Sequence, residues 1–195
     1  MTTLVCIVEG HGEVEALPVL VRRVAGEILG RWDVAVPSPI RLPRGRIVGD
    51  GAELGRALGL ASIQLKGGPG GILVVIDADD DAACQLGPTL QSRCQALRPD
   101  LTTAVVLAER EYEAWFVAAR SSLAARGVLR ATDEAVSETL RDCKGWVDRH
   151  TPNGYSERLD QARLSAQLDL AEAKSASSFR KLVREIGRLV TRPAP

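Results

Sequence analysis

Aromatic residues are scarce in this chain, at 4% of 195 residues. The core must therefore be built from Leu, Val, Ile and Ala, and an aromatic surface for stacking single-stranded bases is excluded. Net charge is also lacking: 25 Lys and Arg balance 25 Asp and Glu. Nothing in the overall charge draws the protein to a polyanion, so any contact with nucleic acid has to rest on a local basic patch. The four cysteines, Cys6, Cys84, Cys94 and Cys143, form no CxxC pair and have no histidine at zinc-ligand spacing. They read as reduced thiols of a cytoplasmic protein. No apolar run approaches the roughly 20 residues of a membrane span, and the N-terminus has no signal-peptide pattern. A phosphate loop of the G-x-x-x-x-G-K-[ST] type is absent.

Hydrophobic residues make up 45% of the chain, enough for a sizeable core in one domain, or in one domain with a modest extension. Short apolar runs at Thr3 to Val8, Ile72 to Asp77 and Thr102 to Leu107 read as buried strands, and Asp33 to Ile40, broken by Pro37 and Pro39, reads as a weaker one. Apolar residues at helical spacing place helices over Glu13 to Leu29, Ala52 to Lys66 and Ala82 to Leu97. Pro18 suits the first turn of its helix and fits poorly deeper in it. Arg41 to Asp50 reads as a loop. Strands without polar alternation, separated by helices, indicate βαβ units and a mostly parallel sheet flanked by helices. Beyond Glu111 the sequence reads as helical, in pieces near Glu111 to Arg126, Thr132 to Cys143, Ser156 to Leu168 and Ser177 to Val190. The expected organisation is an α/β core over residues 1–120 and an α-helical C-terminal part over 121–192 packed on the same domain.

Ligands of open α/β sheets sit beyond the carboxyl ends of the strands. Glu9 follows the first strand directly, and Asp77 ends the ILVVID strand with Asp79, Asp80 and Asp81 just after it. In an extended segment Asp77 and Asp79 project the same way. If the two strands are neighbours, three carboxylates converge and repel unless a cation lies between them. Hard oxygen donors of this kind suit Mg²⁺ or Mn²⁺. The simpler reading makes such acids helix caps or solvated turn residues, and one of Asp79 to Asp81 is expected to cap the following helix. Gly10-His11-Gly12-Glu13-Val14-Glu15 begins like a dinucleotide fingerprint but places acids where a pyrophosphate would lie. His11 lies near the acids as a base or an outer partner. Trp115 and Phe116 read as core. Basic surface is available at Arg41, Arg44 and Arg46, and in the segment from Lys144 onward, where ten Lys and Arg face six Asp and Glu.

The run Val8-Glu9-Gly10-His11-Gly12-Glu13 after a strand, followed by Val75-Ile76-Asp77-Ala78-Asp79, resembles the two hallmarks of the Toprim domain of topoisomerases, primases and OLD-type nucleases. Glu111-Tyr112-Glu113-Ala114-Trp115-Phe116 resembles a motif of a family of small, uncharacterised bacterial Toprim-like proteins related to the OLD-type nucleases. Asp142-Cys143-Lys144, Tyr155 and Ser178-Phe179-Arg180 are similar to that family's C-terminal pattern. The resemblance implies a Toprim-like (Rossmann-like) fold and a Mg²⁺-dependent nuclease. In it Glu9 is a ligand or proton-transfer group, Glu13, Asp77, Asp79 and Glu113 are further metal ligands, and Lys144 stabilises charge on the phosphate. His11, Asp81, Glu109 and Glu111 would surround them. Glu111 and Glu113 cannot share a helical face, so only one is expected to reach the site. The implied partners are nucleic acid, DNA more than RNA, and a separate ATPase in defence against phage or plasmids. Apolar rows on the late helices would suit a homodimer. The alternatives are a non-catalytic Toprim-like module that binds a partner, or a metal-dependent phosphatase on a small substrate. A receiver-like phosphoacceptor ranks last, since a paired acid after the first strand and a Lys after a fifth are not recognisable.

Overall fold

A computed structural model describes residues 1–134, 136 and 140–191. Its centre is a parallel sheet. Strand β1 (Thr2–Val8) pairs with β4 (Gly70–Asp77), which pairs with β5 (Thr103–Ala108). The two-residue strands β2 (Val34–Ala35) and β3 (Ile40–Arg41) lie on the other side of β1, one at each end of it. Between them Pro37 and Pro39 interrupt the pairing expected over 33–40, because proline offers no amide proton to a ladder.

The apolar strands alternate between two cores. Leu4, Cys6 and Val8 of β1 and Leu73 and Val75 of β4 face one, while Val5, Ile7, Ile72, Val74 and Ile76 face the other. Helices α3 (Ala52–Leu65) and α4 (Ala83–Leu97) cover the second core. The first is covered by α1 (His11–Arg23) and, from the far end of the chain, by α10 (Ser177–Thr191) with Phe179, Leu182, Ile186 and Leu189 buried. The late helices thus share one core with the sheet. Strands covered on both faces need no polar alternation, which is why they read as continuous apolar runs.

Several elements differ from the sequence expectation. Helix α1 starts at His11, so Pro18 sits in its interior, and the helix runs on into a π-helical turn at Val24–Ile28. The missing Pro18 amide leaves the turn before it without one helical bond. The loop before α3 contains a single helical turn, α2 (Arg44–Ile47). The helix expected over 111–126 is two short ones, α5 (Ala114–Ala118) and α6 (Arg120–Ala125), broken at Ala119. Within the helix expected over 132–143, Ala135 and 137–139 lie outside the described residues, and the described ones before Cys143 are not helical. Helices α7 (Cys143–His150) and α9 (Leu170–Ala173) were not anticipated; α8 (Glu157–Gln167) was. Among the described residues no helix is long and apolar enough to cross a membrane. The cysteines are free, and Cys6, Cys94 and Cys143 are buried.

At Gly70 of β4 φ is +133°, and an added Cβ would run into the Thr3 carbonyl oxygen of β1. Gly70→Ala is therefore expected to lower unfolding stability by about 1–3 kcal/mol, the scale of strain at a disallowed backbone position. Urea denaturation measures this, and an unchanged midpoint would contradict the packing.

Candidate functional site

The register of the sheet puts the ends of β1 and β4 side by side, with Val8 opposite Val75. Glu9 leaves β1 at the same edge where Asp77 ends β4 and pairs with Ala108 of β5. The alternation that sends Leu73 and Val75 into the first core carries Asp77 to that same face, under the start of α1. There Glu13, on the first turn of α1 and 4% exposed, turns back so that its Oε2 accepts the Gly10 amide proton at 2.5 Å. This is a side chain from the third helical position satisfying the N-cap amide, a structural role that the acid plays whatever else it does. After β5 the chain bends through 109–113 and buries Glu113, 1% exposed, at the head of α5. Glu113 Oε1 accepts the Tyr155 hydroxyl at 2.6 Å and a Gln161 amide proton at 3.3 Å.

Electrostatics ties these acids together. Burial raises the Asp77 carboxyl well above the ordinary range, and the charges of Glu13, Glu9, Glu113 and Asp79 raise it further. Glu13 is pushed up to about 7 by burial, against the pull of the Gly10 amide, with Glu9, Glu157 and Glu113 adding to the rise. Glu9 is raised by burial and by Asp79, against the pull of the Asp77 backbone amide and of Arg44, and its Oε2 is buried with no hydrogen-bond partner among the described residues. Glu113 is raised by burial, with Tyr155 and Lys144 opposing. Acids whose ionised forms are disfavoured together at one edge favour protons or a cation there.

Lys144 stands at the rim on the first turn of α7. Its ammonium pairs with Glu157 Oε2 at 2.5 Å, and its backbone amide donates to Glu111 Oε2 at 2.7 Å. Burial lowers its pKa, but Glu157, Glu113 and Glu111 outweigh that and hold it above the ordinary value. Glu157 opens α8, and this acid was not foreseen. It presses on the Gly10-His11-Gly12 turn: a Cβ at Gly10 would lie 3.0 Å from Glu157 Oε1, and one at Gly12 would lie 2.8 Å from the Glu157 carbonyl. Two glycines flanking His11 were the only trace of this contact in the sequence, and they do not say which distant element makes it.

The remaining expected residues are more peripheral. Asp79 does not project alongside Asp77, because the strand ends at Asp77 and Asp79 turns into the left-handed region at φ +51°. It is exposed and pairs with Arg44 Nε at 2.9 Å. Arg44 also binds Asp81 Oδ2 at 2.5 Å, so this arginine faces acids of the site. Asp80 is paired with Arg110 and Arg141. None of the three aspartates caps α4: its N-cap is Ala82, with no side-chain bond. Glu113 joins the cluster and Glu111 lies at its margin, but neither is inside a helix, so the helical-face argument does not apply to them. Arg41 donates to the Glu9 carbonyl at 3.2 Å. Arg46 and His11 are exposed, and Glu109 is partly exposed.

The donors are hard oxygens, and the unpartnered Glu9 Oε2 gives them an unfilled valence, so they fit a hard divalent cation in kind. In the arrangement described, no three His, Cys, Asp or Glu side chains among the described residues are gathered at metal-binding spacing. A cation would have to draw them together.

No family model matches the sequence, and no curated protein does. One solved structure, the C-terminal region of the Burkholderia pseudomallei OLD protein, is similar at 16% identity with a TM-score of 0.42, over 97% of this chain and 99% of that one. So distant a likeness carries no argument about chemistry.

The raised acids have a thermodynamic consequence. Glu13 binds a proton in the folded chain up to about pH 7, whereas an unperturbed Glu releases it near 4.5. Between those values the folded state holds more protons than the unfolded state, so stability must fall as pH rises. The cation-free protein is expected to lose melting temperature from pH 5 to pH 7.5, and Glu13→Gln, which keeps an acceptor for Gly10, should flatten that slope. A melting temperature that rises over this window in the wild type would contradict the assignment.

Proposed function

We propose that this chain is a Mg²⁺-dependent phosphodiester hydrolase of Toprim type, acting on DNA in preference to RNA. The observation that carries the reading is the set of raised acids Glu9, Glu13, Asp77 and Glu113 at one sheet edge, Glu13 and Glu113 buried and Glu9 and Asp77 partly exposed, with Glu9 Oε2 left without a hydrogen-bond partner among the described residues. The resemblance of the Glu9 to Glu13 run and of Asp77-Ala78-Asp79 to the Toprim hallmarks gives that cluster its chemistry.

Glu9, Glu13, Asp77, Asp79 and Glu113 would hold the cation. When bound, the cation supplies an acidified water and neutralises charge on the leaving oxygen. The chain's own groups act around that step. Lys144, held at the rim by Glu157, offers its ammonium to a phosphate oxygen as negative charge builds there. Glu9, whose Oε2 is buried without a hydrogen-bond partner among the described residues, would serve as a ligand or as the proton-transfer group. Arg41, which donates to the Glu9 carbonyl, stands at the same edge for a flanking phosphate, with exposed Arg46 on α2 as a further basic group, whereas Arg44 is held by both Asp79 and Asp81. Resemblance to the OLD-type branch extends the reading to an effector of phage defence that works with a partner ATPase.

The test is cleavage of supercoiled plasmid and of RNA with Mg²⁺ or Mn²⁺. Wild type is expected to nick plasmid, Asp77→Ala and Glu9→Gln to lose cleavage, and Lys144→Ala to fall by roughly 100–1,000-fold, the scale of one lost charge-stabilising donor. Wild-type protein that cuts neither substrate, or an Asp77→Ala variant that cuts as well as wild type, would sink the proposal.

A further inference from the structure

Glu113 is anchored through one of its two oxygens. Its Oε1 accepts the Tyr155 hydroxyl at 2.6 Å and a Gln161 amide proton at 3.3 Å, and no described residue donates to its Oε2. Both donors are committed to that oxygen. Burial and the Glu113 charge push the Tyr155 phenol up, so it keeps its proton and donates it. Gln161, 1% exposed, directs its N–H at Glu113 while its own Oε1 is buried with no partner among the described residues. A buried acceptor without a hydrogen bond is costly, so this orientation is held by what the N–H gains at the carboxylate. The opposite orientation of the amide would set Oε1 against a carboxylate oxygen, which repels it. Gly12 makes room for the side chain, because a Cβ there would run into Gln161 Oε1. Tyr155 is fixed in turn: its backbone amide donates to Asp148 Oδ1 at 2.7 Å. Asp148 lies on α7, one turn after Lys144.

We propose that Tyr155 and Gln161 are positioning residues for the cation: they pin Glu113 by Oε1 and so present Oε2 as its one ligand atom. This rests on the proposed cation site. A carboxylate free to turn offers either oxygen, or both together. One held by two donors offers the remaining oxygen in a fixed direction before the ion arrives, and outer partners of this kind support metal affinity by about 10–100-fold. The shorter bond, from Tyr155, carries the larger share. If the two bonds served only to satisfy a buried acid, they would support stability and leave cation affinity alone. The two roles therefore differ in what they move.

Calorimetric titration of the full chain with Mn²⁺ tests this. Tyr155→Phe should weaken binding by about 10–100-fold with unchanged circular dichroism. Gln161→Met should weaken it by less, yet hold its melting temperature, because the orphaned acceptor leaves with the donor. Glu113→Gln should also weaken binding, and Tyr155→Phe added to it should cost no further affinity, since the ligand that it positions is already gone. Wild-type affinity in either Tyr155→Phe or Gln161→Met, or losses that multiply in the double variant, overturns the positioning role and leaves the cation site standing. A wild type that binds no Mn²⁺ overturns the cation site and this role with it.

Discussion

Like charges forced together at the edge of a buried sheet are the constraint on which the rest of the site depends. A parallel sheet covered by helices on both faces leaves its carboxyl edge open, and three of its neighbouring segments end there in acids. The repulsion among Asp77, Glu13, Glu9 and Glu113 has only a few ways out. Glu13, pushed up to about 7, favours a proton, the Gly10 amide and the Tyr155 hydroxyl satisfy Glu13 and Glu113, and Arg44 and Lys144 stand at the rim as counter-charges. A chain that needed only a stable fold would place apolar or neutral residues here, since replacing buried charges in that way is often neutral or stabilising. On the proposed reading, the arrangement is one side of an equilibrium whose other side holds a cation.

Much of the sheet was legible because its physics is local. Continuous apolar runs such as Ile72 to Asp77 can only be strands buried on both faces, and the acid after each run marks the edge where ligands collect. That reasoning brought Glu9 and Asp77 to one place. It misplaced Asp79 because it assumed that the strand continued, whereas the chain turns through a left-handed residue at that position. Where the helices break was less legible. Ala119 divides α5 from α6 with no proline or glycine to announce it, and tertiary packing decides such points.

The least legible feature was the contribution of the C-terminal helices to the site. Lys144, Tyr155, Glu157 and Gln161 reach the cluster from α7, α8 and the segment between them, and their positions depend on α8 packing against α1 at Gly10 and Gly12. Long-range contacts of this kind leave no periodicity in a sequence. What a single chain can record is the small residue that permits them, and the Gly10-His11-Gly12 turn is that record. The ion pair between Lys144 and Glu157 now has two readings with different physical content. It holds the ammonium at the rim, and it keeps a further acid from adding its full charge to Glu9 and Glu13.

The central claim is that the carboxylate cluster exchanges protons for a divalent cation. Calorimetric titration with Mn²⁺ at pH 6.5, repeated in two buffers of different ionisation enthalpy, measures both halves of that exchange at once. The account predicts saturable binding with net proton release, because Glu13, pushed up to about 7, must give up its proton to become a ligand, and loss of both signals in Asp77→Asn. No heat of binding in the wild type, or binding that releases no protons and survives Asp77→Asn, would contradict it.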